Sequence, residues 1–370
     1  MPLTAFSRAT GEELDVEQVI RRLAGTKEAN TTALLLAGIP DAWRRVIRED
    51  MECPSCFTLG ADLVRDGVSA TVSKRVVRQA CFRYPTHRPQ CDFARPGVSG
   101  TSTPDNLVAF GSTKTGLTRA VRQLVGAGIQ QGAFTQRTIR DMRQWFFEQK
   151  ASSTFTVTLD PRLSVWLEAL LCSTGGFYGL QPVALTPEIA ALPGFDWRDA
   201  ARRQLRARYR MHIEALVAAE LRIWVAADRV AYLAGRFQGE VVFDPSALRA
   251  HYLGTLQLAT FITQNYEPVG RFVKVGRSHA PAVLAFSALM LYVEDWNLDR
   301  AAALFGRIAM TAAKADGDLG NVMGLNPWHD FEAWQQLKAL QELGLPMPEG
   351  VGTPAEEISA IEAALRRQYV

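Results

Sequence analysis

The stretch 51-MECPSCF-57, answered further on by 81-CFRYPTHRPQC-91, holds four of the chain's five cysteines and one of its five histidines. Zinc binds four ligands in a tetrahedron, and Cys thiolates and His nitrogens suit it best. Cys53-x2-Cys56 lets two sulfurs on one tight turn reach one ion, and Cys81, His87 and Cys91 are three residues for the two remaining places. The H-x3-C spacing favours Cys53, Cys56, His87 and Cys91, with Cys81 as the substitute for His87. The residues between would form the hairpin that joins the halves. Ordinary thiols, some of them buried, are the alternative. An odd cysteine count, with no apolar leader in MPLTAFSRATGEELD, argues against disulfides and for a reducing compartment, the cytoplasm. Cys172, within 163-LSVWLEALLC-172, is expected in the core.

Around this cluster the chain changes character. Residues 53–100 combine cysteines, partial alternation over Phe57–Val72, then Pro85, Pro89, Pro96 and the 97-GVSGTSTP-104 loop, which reads as a small β-rich module and a linker. Short helices are expected at Val16–Leu23 and Ala33–Ile47. After residue 105 apolar residues recur at three- and four-residue spacing, predicting helices over Asn106–Val125, Phe134–Gln149, 161–171, 196–233, 245–265, 281–293, 298–315 and 330–343. One strand is expected at 153-STFTVTL-159. Thr353, Pro354 and Glu356 mark the start of a last helix by a capping box. The fold class is therefore α+β, mostly α: a zinc-binding module over residues 1–100 and a helical domain over 105–370. At 370 residues and 48% hydrophobic, the chain can bury a sizeable core. Its most apolar run, 280-APAVLAFSALMLYV-293, is too short to span a bilayer and reads as a buried helix, so no membrane partner is expected.

Net charge is only +3, but residues 67–150 carry thirteen basic side chains against four acidic ones. Such a stretch attracts polyanions. Arg119, Arg122 and Arg140, on its predicted helices, are candidate nucleic-acid contacts. In 197-WRDAARRQLRARYR-210, Arg198, Arg202, Arg206 and Arg210 stand four apart, a single row on a helix, with Arg203 beside it. Like charges at that spacing repel by roughly 0.2–0.5 kcal/mol per pair, which calls for compensating anions. Arginine meets phosphate bidentately and stacks on bases, so the row suits a nucleic-acid backbone. The alternative is pairing with carboxylates of neighbouring helices.

Catalytic patterns are absent or displaced. His212-Ile-Glu214 follows the cysteines rather than preceding a P-C-x-x-C pair, so it does not make a zinc deaminase site; His212 is expected buried and Glu214 exposed. The segment 111-GSTKTG-116 lacks the first glycine of a phosphate loop, no G-x-S-x-G occurs, and neither Glu294-Asp295 nor 315-ADGDLGN-321 has calcium-loop spacing. His329-Asp330 reads as a helix start capped by Asp330.

The front third resembles competence CoiA-like proteins. In that family a strand pair leads to a CPxC, then an H-F-x-H motif and a later cysteine. Here 5-AFSRATGEELDV-16 stands for the strand pair, CPSC at Cys53–Cys56 matches directly, 81-CFRY-84 sits in place of H-F-x-H with Cys81 and Tyr84 replacing the histidines, and Cys91 is similar to the later cysteine. The resemblance covers residues 1–125 and implies a zinc module associated with DNA processing, with Cys81 as a ligand; the family's nuclease motifs are not recognisable beyond it. Three functions are thus expected in turn: a zinc-containing nucleic-acid-binding protein with backbone contacts, a scaffold with a structural zinc and an arginine-rich docking helix for a protein partner or a second copy, and a divergent nuclease.

Overall fold

The computed structural model describes residues 1–25, 38–64, 67–68, 76–78, 80–94, 116–174, 184–221, 226–273, 280–312, 325–348, 350 and 352–369. The chain opens on an antiparallel pair, β1 (Thr4–Ser7) and β2 (Glu12–Asp15), with Ala5 opposite Leu14. Asp15 then starts α1 (Val16–Ala24): its side chain accepts from the Gln18 N–H, the Gln18 side chain returns to the Asp15 N–H, and Gly25 closes the helix in the left-handed region. The helix α2 (Asp41–Asp50) runs into β3 (Met51–Glu52), which pairs with β1 and delivers the chain to Cys53. The short strands β4 (Asp62–Val64), β5 (Gly67–Val68), β6 (Val76–Arg78) and β7 (Cys81–Arg83) pair as β4–β7 and β5–β6. The boundary expected at residues 100–105 lies outside the described residues.

Helices then dominate: α3 (Gly116–Gln130) and α4 (Gln136–Ser152), the strand β8 (Thr154–Thr156), then α5 (Leu163–Ser173), α6 (Pro187–Ala190), α7 (Trp197–Arg208), α8 (Arg210–Ala218) and α9 (Ala227–Arg236). The strand β9 (Val241–Phe243) pairs antiparallel with β8, and α10 (Arg249–Asn265), α11 (Glu267–Gly270), α12 (Pro281–Val293), α13 (Leu298–Ala309), α14 (Phe331–Leu343) and α15 (Pro354–Tyr369) follow. The class is α+β, mostly α, as the periodicities imply. No helix among the described residues is long and apolar enough to cross a membrane, and α12 is buried from Ala282 to Leu291.

The helix expected over 196–233 is interrupted. Tyr209 leaves helical geometry (φ −103°, ψ 24°) between α7 and α8, and α9 starts only at Ala227. Tyr209 is anchored from outside: its hydroxyl donates to Glu357 at 3.0 Å and its ring meets Trp166 edge-on. The capping box of α15 forms as read, Thr353 N–H donating to Glu356 at 2.7 Å and Glu356 N–H to the Thr353 hydroxyl at 3.3 Å. Asp330 differs from its expected role. It precedes α14 in the left-handed region (φ 55°), caps nothing, and gives its carboxylate to Arg229.

The chain forms two compact units. Unit one comprises Met1–Ser153 and Ala247–His329; unit two comprises Thr154–Ser246 and Asp330–Val370. Within unit one, α4 serves two neighbours. Arg140 and Arg143 reach Glu52 and Glu13 of the strands, while Trp145 and Phe146 pack among His251, Trp296 and Trp328. Within unit two, Ile358, Ile361 and Leu365 of α15 join Trp197, Ala201 and Leu205 of α7 in one core, each large side chain contributing about 1.5–3 kcal/mol by burial.

Candidate metal centre

The two cysteine-bearing loops meet. Cys53 follows β3 directly, and its loop closes as a tight turn: the Phe57 N–H donates to the Cys53 carbonyl at 2.9 Å and the Cys53 N–H to the Thr58 carbonyl at 3.0 Å. Phe57 takes the left-handed conformation (φ 63°) that this reversal needs. The second loop leaves β7 through buried Tyr84, whose ring lies 5.5 Å from that of His87, and turns again before Cys91. Ser55 and Asp92 tie the loops together, the Ser55 hydroxyl donating to Asp92 at 2.7 Å and the Asp92 N–H returning to Ser55 at 3.2 Å.

This framework brings Cys53, Cys56, His87 and Cys91 to one point, with one donor atom from each lying within 4.8 Å of all the others. Cys53 Sγ is 3.9 Å from Cys91 Sγ, and His87 Nδ1 is 3.5 Å from Cys56 Sγ and 3.3 Å from Cys91 Sγ. A tetrahedral ion with bonds of about 2.3 Å to sulfur and about 2.0 Å to nitrogen requires edges of roughly 3.8 Å and 3.5 Å. The observed edges fit, so these four residues can hold a metal ion. The three sulfurs are nearly or fully buried, and four protein donors fill the tetrahedron.

The thiols influence one another. Burial pushes the Cys53 thiol up to about 12. Hydrogen bonds from Cys53 and then Cys91 hold Cys56 far below the ordinary thiol range, while the same contacts, with burial, push Cys91 up. A divalent cation supplies the charge that lets all three ionise.

Of the five metal-ligand candidates, Cys81 stands apart. It is buried on β7 opposite Val64 and is not among the four converging residues. Cys172, expected in the core, is exposed: α5 buries Leu163, Trp166, Leu167, Leu170 and Leu171, and position 172 falls on the other side. His212 is half-buried, its Nε2 3.2 Å from the Pro346 carbonyl, and Glu214 pairs with Arg210.

The candidate nucleic-acid arginines fall into distinct settings. Arg198, Arg202 and Arg203 are exposed on α7, Arg206 is half-buried there, and Arg210 begins α8. Arg203 pairs with Asp199 at 2.6 Å and Arg210 with Glu214 at 2.6 Å, while Arg198 and Arg202 have no ion pair among the described residues. Arg119 is exposed on α3 and Arg122 half-buried. Arg140 is occupied: it meets Glu52 at 2.8 Å and lies 4.7 Å from the centre of the Phe57 ring. Ser55 and Asp92 were not singled out by sequence reasoning. Their only signal is position, one inside the C-x2-C and one beside Cys91. Comparison with family models, with curated proteins and with solved structures gives no match for this chain.

Proposed function

We propose that Cys53, Cys56, His87 and Cys91 hold a structural Zn2+ and that the protein binds nucleic acid through contacts to its backbone, in the setting of DNA processing, regulation or defence. The observation that carries the metal reading is the convergence of three buried cysteines and half-buried His87, one donor atom from each within 4.8 Å of all the others. Three sulfurs and one imidazole are a zinc donor set, and a filled tetrahedron offers no place to a substrate. The resemblance to the front of competence CoiA-like proteins supports a zinc module at this place in the chain, while implying Cys81 where the geometry favours His87. Three thiols of this kind are kept reduced in the cytoplasm, which is where we place the protein.

The nucleic-acid reading is supported by Arg198 and Arg202, exposed, four residues apart and without a carboxylate partner among the described residues. Contacts of this kind are salt-sensitive and carry little sequence information, so DNA is favoured over RNA only by the resemblance. Elemental analysis tests the first part: one zinc per chain is expected, lost in Cys53→Ser and Cys91→Ser and kept in Cys81→Ala. DNA and RNA binding against salt concentration tests the second, and absence of binding at low salt refutes it.

A second reading is favoured by a separate observation. Arg203, Arg208 and Arg210 already face Asp199, Glu357 and Glu214, so part of the arginine surface is built for carboxylates. On that reading α7 docks an acidic protein or a second copy of the chain. Arg202→Glu then abolishes co-purification or self-association and leaves nucleic-acid affinity unchanged.

A further inference from the structure

We infer that the face of unit one formed by α2, β4 and β7 grips a phosphodiester backbone through Arg44, Arg48 and Arg83, and that metal loading holds this grip in shape. The ligand's identity rests on the nucleic-acid reading above; the inference moves the principal contact from α7 to the metal module.

The argument starts from a charge imbalance. Asp62 opens β4 directly opposite Arg83 of β7. One of its oxygens lies 3.4 Å from the Arg83 guanidinium and the other 3.9 Å from that of Arg44. Both contacts exceed the 2.7–2.9 Å of a close charge-assisted hydrogen bond, and one carboxylate faces two guanidiniums. Arg44 is nevertheless aimed, its Nε donating to the Ile39 carbonyl at 3.1 Å. Arg48 stands one turn further along α2, exposed and without an ion pair among the described residues. Arg44 and Arg48 are like charges four apart, a repulsive arrangement on a helix.

Of the other acids nearby, Asp50 and Glu52 are committed elsewhere. Asp50 accepts from the Ser7 hydroxyl at 2.5 Å and the Ala9 N–H at 2.7 Å. Glu52 faces Arg140 and Arg8. Asp41 and Glu49, at the two ends of α2, make no ion pair among the described residues and so do not neutralise Arg44 or Arg48. Two of the three guanidiniums share one carboxylate, the third has no ion pair among the described residues, and their side chains reach solvent (41% exposed for Arg44, 64% for Arg83). Spread over a helix and a strand, they suit successive phosphates of a chain better than one small anion.

The metal enters through connectivity. The helix α2 leads through β3 into Cys53, and the Gly60 N–H, just past the first ligand loop, donates to the Arg48 carbonyl at 2.9 Å. Arg83 ends β7, four residues before His87. Each arginine-bearing element thus runs directly into one half of the Cys3His cluster, and the ion is the clasp between the halves.

The test measures binding of a short fluorescein-labelled single-stranded DNA, its duplex and the matching RNA between about 50 and about 200 mM salt, a range over which backbone contacts lose affinity steeply. The combined Arg44→Gln, Arg48→Gln, Arg83→Gln variant is expected to bind at least tenfold more weakly, with a salt slope shallower by about 2–3. Asp62→Asn is expected to bind more tightly than wild type, a gain that misfolding does not mimic. Removing the metal with a chelator is expected to abolish the difference between wild type and the triple variant. If wild type binds but the triple variant and Asp62→Asn behave like it, while Arg198→Gln with Arg202→Gln loses binding, this inference fails and the nucleic-acid reading stands. If wild type binds none of the three, both fail. Undiminished binding after metal removal refutes the clasp.

Discussion

Tyr84 buries its hydroxyl without a hydrogen-bond partner among the described residues while laying its ring against His87. A hydroxyl in that position costs about 1–3 kcal/mol, whereas the ring helps fix the imidazole. Tyr84→Phe is therefore expected to raise stability by about 1 kcal/mol, seen as a higher urea midpoint at unchanged slope, with metal content intact. A loss of stability would mean that the hydroxyl is in use. The four converging ligands were legible because C-x2-C and H-x3-C each span a single loop, where chain connectivity alone brings donors together. Spacing favoured His87 over Cys81, while the family resemblance pointed to Cys81. What separates them is strand register: β7 sets Cys81 opposite Val64 and away from the ion site, a choice made by pairing partners distant in sequence. Asp330 was misread for a similar reason, since nothing local shows that Arg229 claims its carboxylate.

Elements were legible wherever an apolar stripe or a cap marked them, as at α12 and α15. The break at Tyr209 was not, because no glycine or proline sits there; a hydroxyl held by Glu357 and a ring held by Trp166 come from other elements. The arginines of α4 were likewise read as free charges, but Arg143 and Glu13 form an ion pair with both side chains almost fully buried. Removing one partner leaves a buried charge, so Arg143→Met is expected to cost about 3–5 kcal/mol in a denaturation experiment, far more than an exposed pair would. In unit two, Asp244 beyond β9 meets Lys338 of α14 at 2.6 Å. Burial works against both charges, yet their contact outweighs it: Asp244 is held below the ordinary carboxylate range and Lys338 above the ordinary amine range. The carboxylate's contribution is complete above about pH 4 and disappears as pH falls through its depressed value. That of the amine is complete below about pH 10.4 and disappears as pH rises through its elevated one. Lys338→Met should thus destabilise at pH 7 and progressively less in increasingly acid solution, measured as the stability difference from wild type.

At the scale of the molecule, the core of the metal module includes Cys53, Cys56 and Cys91 together with Phe147 of α4. Stripping the metal is expected to lower the melting temperature of unit one and to leave the transition of unit two in place, resolved by calorimetry as a shift of one of two peaks. Segment order along the chain does not reveal this partition, because each unit is assembled from two separated stretches. The helices expected to form one domain after residue 105 are shared between both, and periodicity says which face of a helix is apolar but not which other face covers it.

The ladder of β8 with β9 has one more implication. Phe155 lies across from Val242, so the chain sets out on its long detour through unit two and comes back to its point of departure about 4.8 Å to the side. A detour whose two ends already touch is pinned at its neck, but its helices still lean on the tail of the chain, Ile358, Ile361 and Leu365 packing with Trp197, Ala201 and Leu205. A protein cut short after residue 329 would therefore keep the neck and expose the apolar side of the detour.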